Sequence, residues 1–272
     1  MKPLKSLIDD NQIEVLKKIV REAGIILQTH QASPTGVELK KDQTFVSTAD
    51  KASSSYITQE LRRYFPDHGI IDEESHESAQ RETSKDCCWV VDPLDGTREY
   101  LQGGKNFGII LGLMNFGVPV FGMTYRPMLD ELIYAVRGKG AYRDSPLGPE
   151  KIKVSLSNEL NLVVTESRLE AKFRKSIDSL TPKTVRQQGG SLKVIEVALG
   201  NSTLFLQPPQ NTMHLWDLCG TSLILEEAGG KITDWQGKNL SLSLDNLTYN
   251  NGIIASNRRV HPYVVPRLSE KS

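Results

Sequence analysis

The sequence predicts a layered α/β (α+β) sandwich, because three parts of the chain carry different hydrophobic patterns. The N-terminal part reads as helices, the middle as an antiparallel meander, and the second half as alternating strands and helices. Elements of these kinds bury their apolar faces by stacking in layers. The 272 residues fit one domain, and we expect two lobes, about residues 1–145 and 146–272, divided within a glycine- and proline-containing stretch near 140–155.

Two amphipathic helices are predicted in the N-terminal part. Residues 10–30 carry apolar side chains at helical spacing. The predicted stripe consists of Ile13, Leu16, Ile19, Val20, Ala23 and Leu27. A second helix is expected to begin at Thr48, whose side chain suits an N-cap, and to end at about Phe65, before Pro66. Each helix therefore has one face to bury against another layer.

The pattern changes to strands in the middle of the chain. Residues 88–92, with the sequence CWVVD, form a short apolar run that reads as a buried strand, and the turn-forming residues Pro93 and Gly96 follow it. Three further strands are predicted at residues 107–114, 118–126 and 131–136. The short breaks between these three strands predict an antiparallel meander.

The second half of the chain alternates between the two kinds of element. Strands are predicted at 161–165, 183–187, 202–206, 231–235 and 252–256. Helices are predicted at 169–180, 190–199, 216–228 and 258–268. Gly200 and the pair Gly229-Gly230 stand where glycines that end helices are expected.

The composition is that of a globular protein without an obvious polymer or membrane partner. Hydrophobic residues make up 38% and charged residues 24%, and the formal net charge is zero. No apolar run approaches the ~20 residues of a membrane span, and the charged N-terminus lacks the apolar segment of a secretory signal, so we expect a cytoplasmic protein. Cys87, Cys88 and Cys219 form no CxxC spacing and are expected to be reduced and to serve packing.

The most informative stretch is the hexapeptide DPLDGT, which begins at Asp92. Asp95 follows Asp92 closely enough for a tight turn to bring both carboxylates and the Leu94 carbonyl to one point, and Mg²⁺ prefers such oxygen ligands. Gly96 permits close approach of the backbone to a ligand, and a helix opened by Thr97 would turn N–H groups towards a phosphate. Adjoining cation and anion sites suit metal-assisted phosphoryl chemistry.

Each of these features also has a simpler interpretation. The hexapeptide can be an ordinary turn, because Asp-Pro and Asp-Gly are common turn pairs. Glu73 can project from the end of a strand or can be one solvated glutamate in a polar stretch. Asp217 can bind a ligand or act as a favourable acid in the first turn of a helix, and Asp50 reads most simply as part of a helix cap.

Taken together, these segments resemble the inositol monophosphatase superfamily of metal-dependent phosphatases, in the superfamily's order. The matching segments are Thr48-Ala49-Asp50, Glu73-Glu74-Ser75, the run WVVDPLDGT from Trp89, Gly189-Gly190-Ser191, Trp216-Asp217 and Glu227-Ala228-Gly229-Gly230. The similarity spans about residues 10–260. It implies the inositol monophosphatase or sugar phosphatase-like fold, with the whole chain as one metal-dependent phosphatase domain.

Within the superfamily, the chain resembles the CysQ-type 3'(2'),5'-bisphosphate nucleotidases more than the inositol monophosphatases. Arg98, Glu99 and Tyr100 follow the central motif as a basic residue, a glutamate and an aromatic, and residues 97–107 have the nucleotidase length. The segment Ser191-Leu192-Lys193 matches the nucleotidase Ser-Leu-Lys, and a lysine suits a substrate with a second phosphate. The resemblance thus implies conversion of adenosine 3',5'-bisphosphate to AMP and phosphate.

Three departures keep other substrates open. Gly190 stands where the nucleotidases usually have a serine, Gln207-Pro208 replaces a common Pro-Arg, and Cys219 replaces a small alanine. Inositol monophosphate, a sugar bisphosphate and histidinol phosphate are therefore alternative substrates on the same fold. A non-catalytic metal- or phosphate-sensing relative is the alternative of a different class, and loss of a metal carboxylate would signal it.

The resemblance also implies the site. Two or three Mg²⁺ ions would be held by Glu73, Asp92, the Leu94 carbonyl, Asp95 and Asp217. Glu73 and Thr97 would position the attacking water, with Asp50 as proton acceptor through Thr97. The substrate would be bound by Glu73, Gly96, Thr97, Ser191, Lys193 and Asp217. The less favoured alternative for Lys193 is a solvated helix lysine, and Lys40 or Lys41 can reach the site from the loop before Asp50. The partner is a small phosphorylated metabolite, and the superfamily includes both monomers and homodimers.

Overall fold

The computed structural model describes residues 8–32, 37–39, 45–75, 85–165, 171–188, 192–209 and 213–269. Its helices are α1 (Asp10–Ala32), α2 (Thr48–Tyr64), α3 (Thr97–Leu101), α4 (Ala171–Asp178), α5 (Lys193–Ala198), α6 (Leu215–Glu227) and α7 (His261–Ser269), with a 3₁₀ turn at Pro127–Leu129. Within these ranges, no helix combines the length and the apolar character that a membrane span requires.

A seven-stranded sheet organises the first half of the chain. Its strands, in spatial order, are β3 (Gly69–Asp72), β4 (Cys87–Asp95), β5 (Gly108–Asn115), β6 (Val118–Arg126), β7 (Glu131–Val136), β8 (Gly140–Arg143) and β9 (Glu150–Lys151). β3 runs parallel to β4, and every other neighbouring pair in this sheet is antiparallel. The predicted meander over β5, β6 and β7 is confirmed.

A five-stranded sheet organises the second half. Its strands are β10 (Asn161–Val164), β11 (Thr184–Gln187), β12 (Leu204–Gln207), β14 (Lys231–Thr233) and β16 (Ile253–Ser256), in the spatial order β11-β10-β12-β16-β14. β10 is parallel to both β11 and β12, whereas β16 is antiparallel to β12 and β14. Two small sheets pair β1 (Val37–Leu39) with β2 (Phe45–Ser47) and β13 (Met213–His214) with β15 (Thr248–Tyr249).

The buried side chains divide the molecule into layers. Trp89 and Val91 of β4 pack with the apolar stripes of α1 and α2, whereas their neighbours Cys88 and Val90 face α6 on the other side of the sheet. Alternation of this kind follows from the two-residue period of a strand. α5 and α6 also pack on one face of the five-stranded sheet, and α4 and α7 cover its other face. The predicted layered sandwich is therefore observed, with α5 and α6 between the two sheets.

Three glycines allow α6 to lie unusually close to the larger sheet. A Cβ atom on Gly122 of β6 would collide with the backbone of Gly220 in α6, and one on Gly220 would collide with the Leu111 carbonyl of β5. A Cβ atom on Gly112 would collide with the side chain of Cys219. Because protein interiors are close-packed, these positions exclude larger side chains and set the depth of α6.

The structure differs from the sequence prediction in two ways. The strand predicted at 88–92 continues to Asp95, because Asp95 pairs with Gly108 beyond a register shift after Asp92. Pro93 is tolerated there because a bulge needs no ladder hydrogen bond from it. The short strands β1, β2, β8, β9, β13 and β15 were not predicted, since they are too short for a two-residue period to be recognised. The division into two lobes stays a prediction.

Candidate active site

The bulge at the end of β4 places two carboxylates side by side. Asp92 pairs with Ile110 of β5 and Asp95 with Gly108, so the intervening residues are pushed out of the ladder. The N–H of Leu94 donates to Oδ1 of Asp92 at 3.0 Å and fixes the orientation of that carboxylate. The hexapeptide is thus a bulged strand end that presents both acids at one edge of the sheet.

Asp217 comes to the same point from α6. It lies in the first turn of that helix, and its Oδ2 accepts a hydrogen bond from the N–H of His214 at 2.6 Å. The interpretation of Asp217 as an acid in the first turn of a helix is confirmed, and its side chain also accepts a hydrogen bond from a backbone N–H at the helix start. The rings of His214 and Trp216 stack with centroids 4.6 Å apart, which stiffens this turn.

The three carboxylates form a compact cluster. One oxygen from each of Asp92, Asp95 and Asp217 can be chosen so that all three lie within 4.8 Å of one another. Burial raises the pKa of Asp92 well above its ordinary value, and the nearby charges of Glu73, Asp95 and Asp217 raise it further. A bound cation would relieve this repulsion, and carboxylate oxygens are the donors that hard cations prefer. The donor set therefore fits a Mg²⁺ ion.

Glu73 approaches this cluster from the neighbouring strand. It directly follows β3, and its N–H donates to the Val91 carbonyl of β4 at 3.1 Å. The side chain is half-buried, and its charge acts on Asp92. Glu73 is therefore not a fully solvated glutamate, although it lies outside the compact group of three carboxylates, and its role as a ligand stays a prediction.

Thr97 connects the hexapeptide to α2. Its hydroxyl lies 3.3 Å from Oδ1 of Asp50 and 3.2 Å from the Leu94 carbonyl, either of which can accept its proton. Asp50 is buried in the first turn of α2. Gly96 has a φ of 85°, in the left-handed region, and a Cβ atom there would lie 3.1 Å from the Asn106 carbonyl. Gly96 thus permits the sharp change of direction from β4 into α3.

The start of α5 closes another side of the cluster. The N–H of Leu192 donates to Oδ2 of Asp95 at 3.1 Å. Lys193 has only 3% of its surface exposed, and its Nζ lies 5.4 Å from the centroid of the Phe205 ring. The solvated-lysine interpretation of Lys193 is therefore wrong. Ser191 and the loop lysines Lys40 and Lys41 lie outside the described residues.

Two contributors to this arrangement were missed by sequence reasoning. Leu192 acts through its backbone N–H, a group that every residue except proline has, so the residue type gives no signal. His214 acts through its own N–H on Asp217, three residues later, and that spacing is the one by which N-terminal caps are recognised.

The sequence profile of the inositol monophosphatase family matches residues 9–272. The chain belongs to the inositol monophosphatase family. The family's metal-dependent phosphatases act on small phosphorylated substrates, which agrees with the carboxylate cluster.

Similar proteins within the inositol monophosphatase family differ in their named substrates. The chain is 28% identical over 249 residues to the 3'(2'),5'-bisphosphate nucleotidase CysQ of Buchnera aphidicola, covering 90% of this chain and 93% of that protein. It is 30% identical over 243 residues to the fructose-1,6-bisphosphatase/inositol-1-monophosphatase of Thermotoga maritima, covering 87% and 90%. The solved structure of a Thermotoga maritima IMPase matches with a TM-score of 0.82 at 28% identity, over 96% of this chain and 98% of that one. The fold prediction is confirmed.

Proposed function

We propose that this phosphatase is a Mg²⁺-dependent 3'(2'),5'-bisphosphate nucleotidase that converts adenosine 3',5'-bisphosphate to AMP and phosphate. The observation that carries the proposal is the cluster of Asp92, Asp95 and Asp217, which supplies oxygen donors at the start of α5, where the Leu192 N–H contacts Asp95 and the buried Lys193 follows. Similarity to a CysQ nucleotidase over 90% of the chain supports the nucleotide as substrate. A cytoplasmic location and a homodimeric state stay predictions.

In this proposal, two or three Mg²⁺ ions are held by Glu73, Asp92, the Leu94 carbonyl, Asp95 and Asp217. Bound at these donors, Mg²⁺ supplies charge neutralisation to the phosphate ester and acidifies water. The raised pKa of Asp92 supports this ligand set, because four neighbouring carboxylates repel one another unless a cation compensates their charge.

Asp50 and Thr97 accept the proton that the attacking water loses. A Thr97 hydroxyl that donates to Asp50 presents its oxygen lone pairs to the water that attacks phosphorus. Glu73 accepts a second hydrogen bond from this water and orients it in line with the ester bond that breaks. Asp50 accepts the proton that passes through Thr97, since a buried carboxylate beside a hydroxyl is a general base within hydrogen-bond reach.

The phosphate and the rest of the substrate are held by Gly96, Thr97, Ser191 and Lys193, together with Glu73 and Asp217. Gly96, with its φ of 85°, turns the chain so that the backbone N–H groups that follow it face the phosphate in this proposal. Lys193 is a buried cation one residue after the Leu192 N–H that contacts Asp95. Its ammonium group suits a substrate that carries a second negative charge.

A second candidate is a phosphatase of inositol phosphate or of a sugar bisphosphate. The 30% identity to the fructose-1,6-bisphosphatase/inositol-1-monophosphatase favours it, as do Gly190 and Gln207, which depart from the nucleotidase pattern. A non-catalytic sensing relative is less well supported, because the chain retains Glu73, Asp92, Asp95 and Asp217 as well as the contact between Asp50 and Thr97.

The test is phosphate release in the presence of Mg²⁺, with adenosine 3',5'-bisphosphate and inositol 1-phosphate at equal concentrations and EDTA as the control. Faster release from the nucleotide, abolished by EDTA, is the expected result. Preference for inositol 1-phosphate would refute the nucleotide and support the second candidate. No Mg²⁺-dependent release from either compound would refute both of these substrates and would favour a sugar bisphosphate or the sensing relative.

A further inference from the structure

A buried ion pair outside the carboxylate cluster joins the central helix α5 to the larger sheet. Nη1 of Arg126, at the end of β6, donates to Oε1 of Glu196 in α5 at 2.8 Å. Arg126 has 6% and Glu196 4% of its surface exposed. Burying two charges costs free energy of folding unless the pair has good geometry and further hydrogen bonds satisfy both groups.

Both partners are held by further groups. Arg126 also contacts Glu131 of β7, whose other oxygen accepts from Arg143 of β8 at 2.8 Å. Oε2 of Glu196 accepts from Arg186 of β11 at 2.6 Å. Burial alone would raise the pKa of Glu196, but the hydrogen bonds and charges of Arg186 and Arg126 hold that pKa below its ordinary value. Glu196 is therefore an ionised side chain that joins both sheets to α5.

The path from this pair to the carboxylate cluster is short. Glu196 lies one helical turn after Leu192, whose carbonyl accepts its N–H at 3.3 Å. The N–H of Leu192 in turn donates to Asp95. On the sheet side, a Cβ atom on Gly108 would lie 3.0 Å from the Leu192 side chain, and Gly108 is the residue paired with Asp95. The first turn of α5 thus rests on the strand pair that carries Asp95.

From this geometry we infer that the Arg126–Glu196 pair is a positioning device for the metal site. It holds the first turn of α5 so that the Leu192 N–H fixes the Asp95 carboxylate, and it thereby raises the affinity for the cation. The inference rests on the proposed function in that Asp95 is taken as a cation ligand. α5 has only 6 residues, too few for a helix to hold its place by backbone hydrogen bonds alone.

The experiment compares two isosteric variants that each remove one carboxylate from Arg126. Glu196→Gln acts on α5, whereas Glu131→Gln removes the other acidic partner of the same arginine but lies on β7 and not on α5. Binding of Mn²⁺ alone to the full chain is measured from the loss of the free-ion EPR signal, with circular dichroism to verify folding. If Glu196→Gln does not fold, Arg126→Lys takes its place, because it keeps the charge but loses the paired geometry.

Glu196→Gln is expected to weaken Mn²⁺ binding by on the order of tenfold, since partners that orient a metal ligand commonly have effects of this size. The Mg²⁺ concentration for half-maximal phosphate release should rise in parallel, while kcat at saturating Mg²⁺ changes little. Glu131→Gln should leave Mn²⁺ binding within about twofold of the parent, because α5 keeps its contact with Arg126.

Two outcomes would overturn the inference. Unchanged Mn²⁺ binding in a folded Glu196→Gln chain would show that the Arg126–Glu196 pair has no role in the metal site. Equal weakening in both variants would mean that the network acts only on overall stability. A parent chain that binds Mn²⁺ but releases no phosphate would refute the proposed function alone, and the binding comparison would still decide the role of Glu196.

Discussion

The Thr97 hydroxyl lies 3.3 Å from Oδ1 of Asp50 and so joins the hexapeptide to the first turn of α2. Removing this hydroxyl in Thr97→Ala should lower kcat by about 10²–10⁴-fold, the range associated with loss of general-base catalysis. Thr97→Ser keeps the hydroxyl and is the matched control, expected to retain most activity. Steady-state phosphate release measures both, and equal loss in the two variants would exclude a role for the hydroxyl.

Removal of a clustered carboxylate should abolish turnover without unfolding the chain. Asp92→Asn and Asp217→Asn each remove a proposed Mg²⁺ ligand, and Asp92→Asn also relieves repulsion among the buried carboxylates. The melting temperature of metal-free Asp92→Asn should therefore be equal to or higher than that of the parent. Asp245→Asn, at an exposed position, is the control that should keep full activity. Near-parental turnover in Asp92→Asn or Asp217→Asn would contradict the site assignment.

Mg²⁺ should stabilise the fold, because only the folded chain brings the three carboxylates together. At a free concentration one hundred times the dissociation constant, the expected gain is about 2.7 kcal/mol, equivalent to a rise in melting temperature of roughly 5–8 °C. Differential scanning calorimetry with and without Mg²⁺ measures the shift. EDTA should reverse it, and Asp217→Asn should show little of it. A melting temperature independent of Mg²⁺ would argue against a metal site.

A larger side chain where α6 contacts the seven-stranded sheet should destabilise the fold. Gly220→Ala inserts a methyl group against the Leu111 carbonyl and should lower the free energy of unfolding by about 1–3 kcal/mol. Because α6 would move outward, Asp217 would shift and Mg²⁺ affinity would fall as well. Cys219→Ala, which removes volume at the next residue, should keep its Mg²⁺ affinity. Urea unfolding and Mg²⁺ titration of both variants test this packing argument, which unchanged stability of Gly220→Ala would contradict.

Stability should depend on pH through His261. Its ring nitrogens lie 2.7 Å from the Ser256 hydroxyl and 3.1 Å from the Thr233 hydroxyl. Burial, together with the charges of Lys231 and Arg258, lowers the pKa of His261 to about 4. Since the pKa in the unfolded chain is about 6.5, the unfolded state binds more protons between these values. The stabilisation is therefore complete above pH 6.5 and is lost as the pH falls towards 4, by about 2–3 kcal/mol.

The measurement for His261 is urea unfolding of the parent and of His261→Gln from pH 7 to pH 4. The variant should be less stable at pH 7, because its side chain fits the two hydroxyl partners less well. Its free energy of unfolding should nevertheless fall less steeply with decreasing pH, since the titrating group is gone. Parallel pH profiles for the two chains would show that His261 does not contribute to acid sensitivity.

Local pattern was enough to predict the order and type of most elements. The apolar stripe from Ile13 to Leu27 predicted α1, and the three strands of the meander were predicted to within one residue at their ends. These elements were readable because helix and strand periods depend only on neighbouring residues. The acidic residues were also recognised in the sequence, and the family match confirms the resemblance on which their proposed roles rest.

What the sequence by itself determined is therefore which elements form, in which order, and which residue types are available for phosphoryl chemistry. The family resemblance implied that Asp217 joins Asp92 and Asp95, but only the tertiary structure showed how closely their oxygens approach, that Lys193 is buried, and that the Leu192 N–H reaches Asp95. The physical reason is that these contacts join residues far apart along the chain. The position of α6 depends on backbone contact between Gly122 and Gly220, and such packing between remote residues leaves no periodic pattern in either segment.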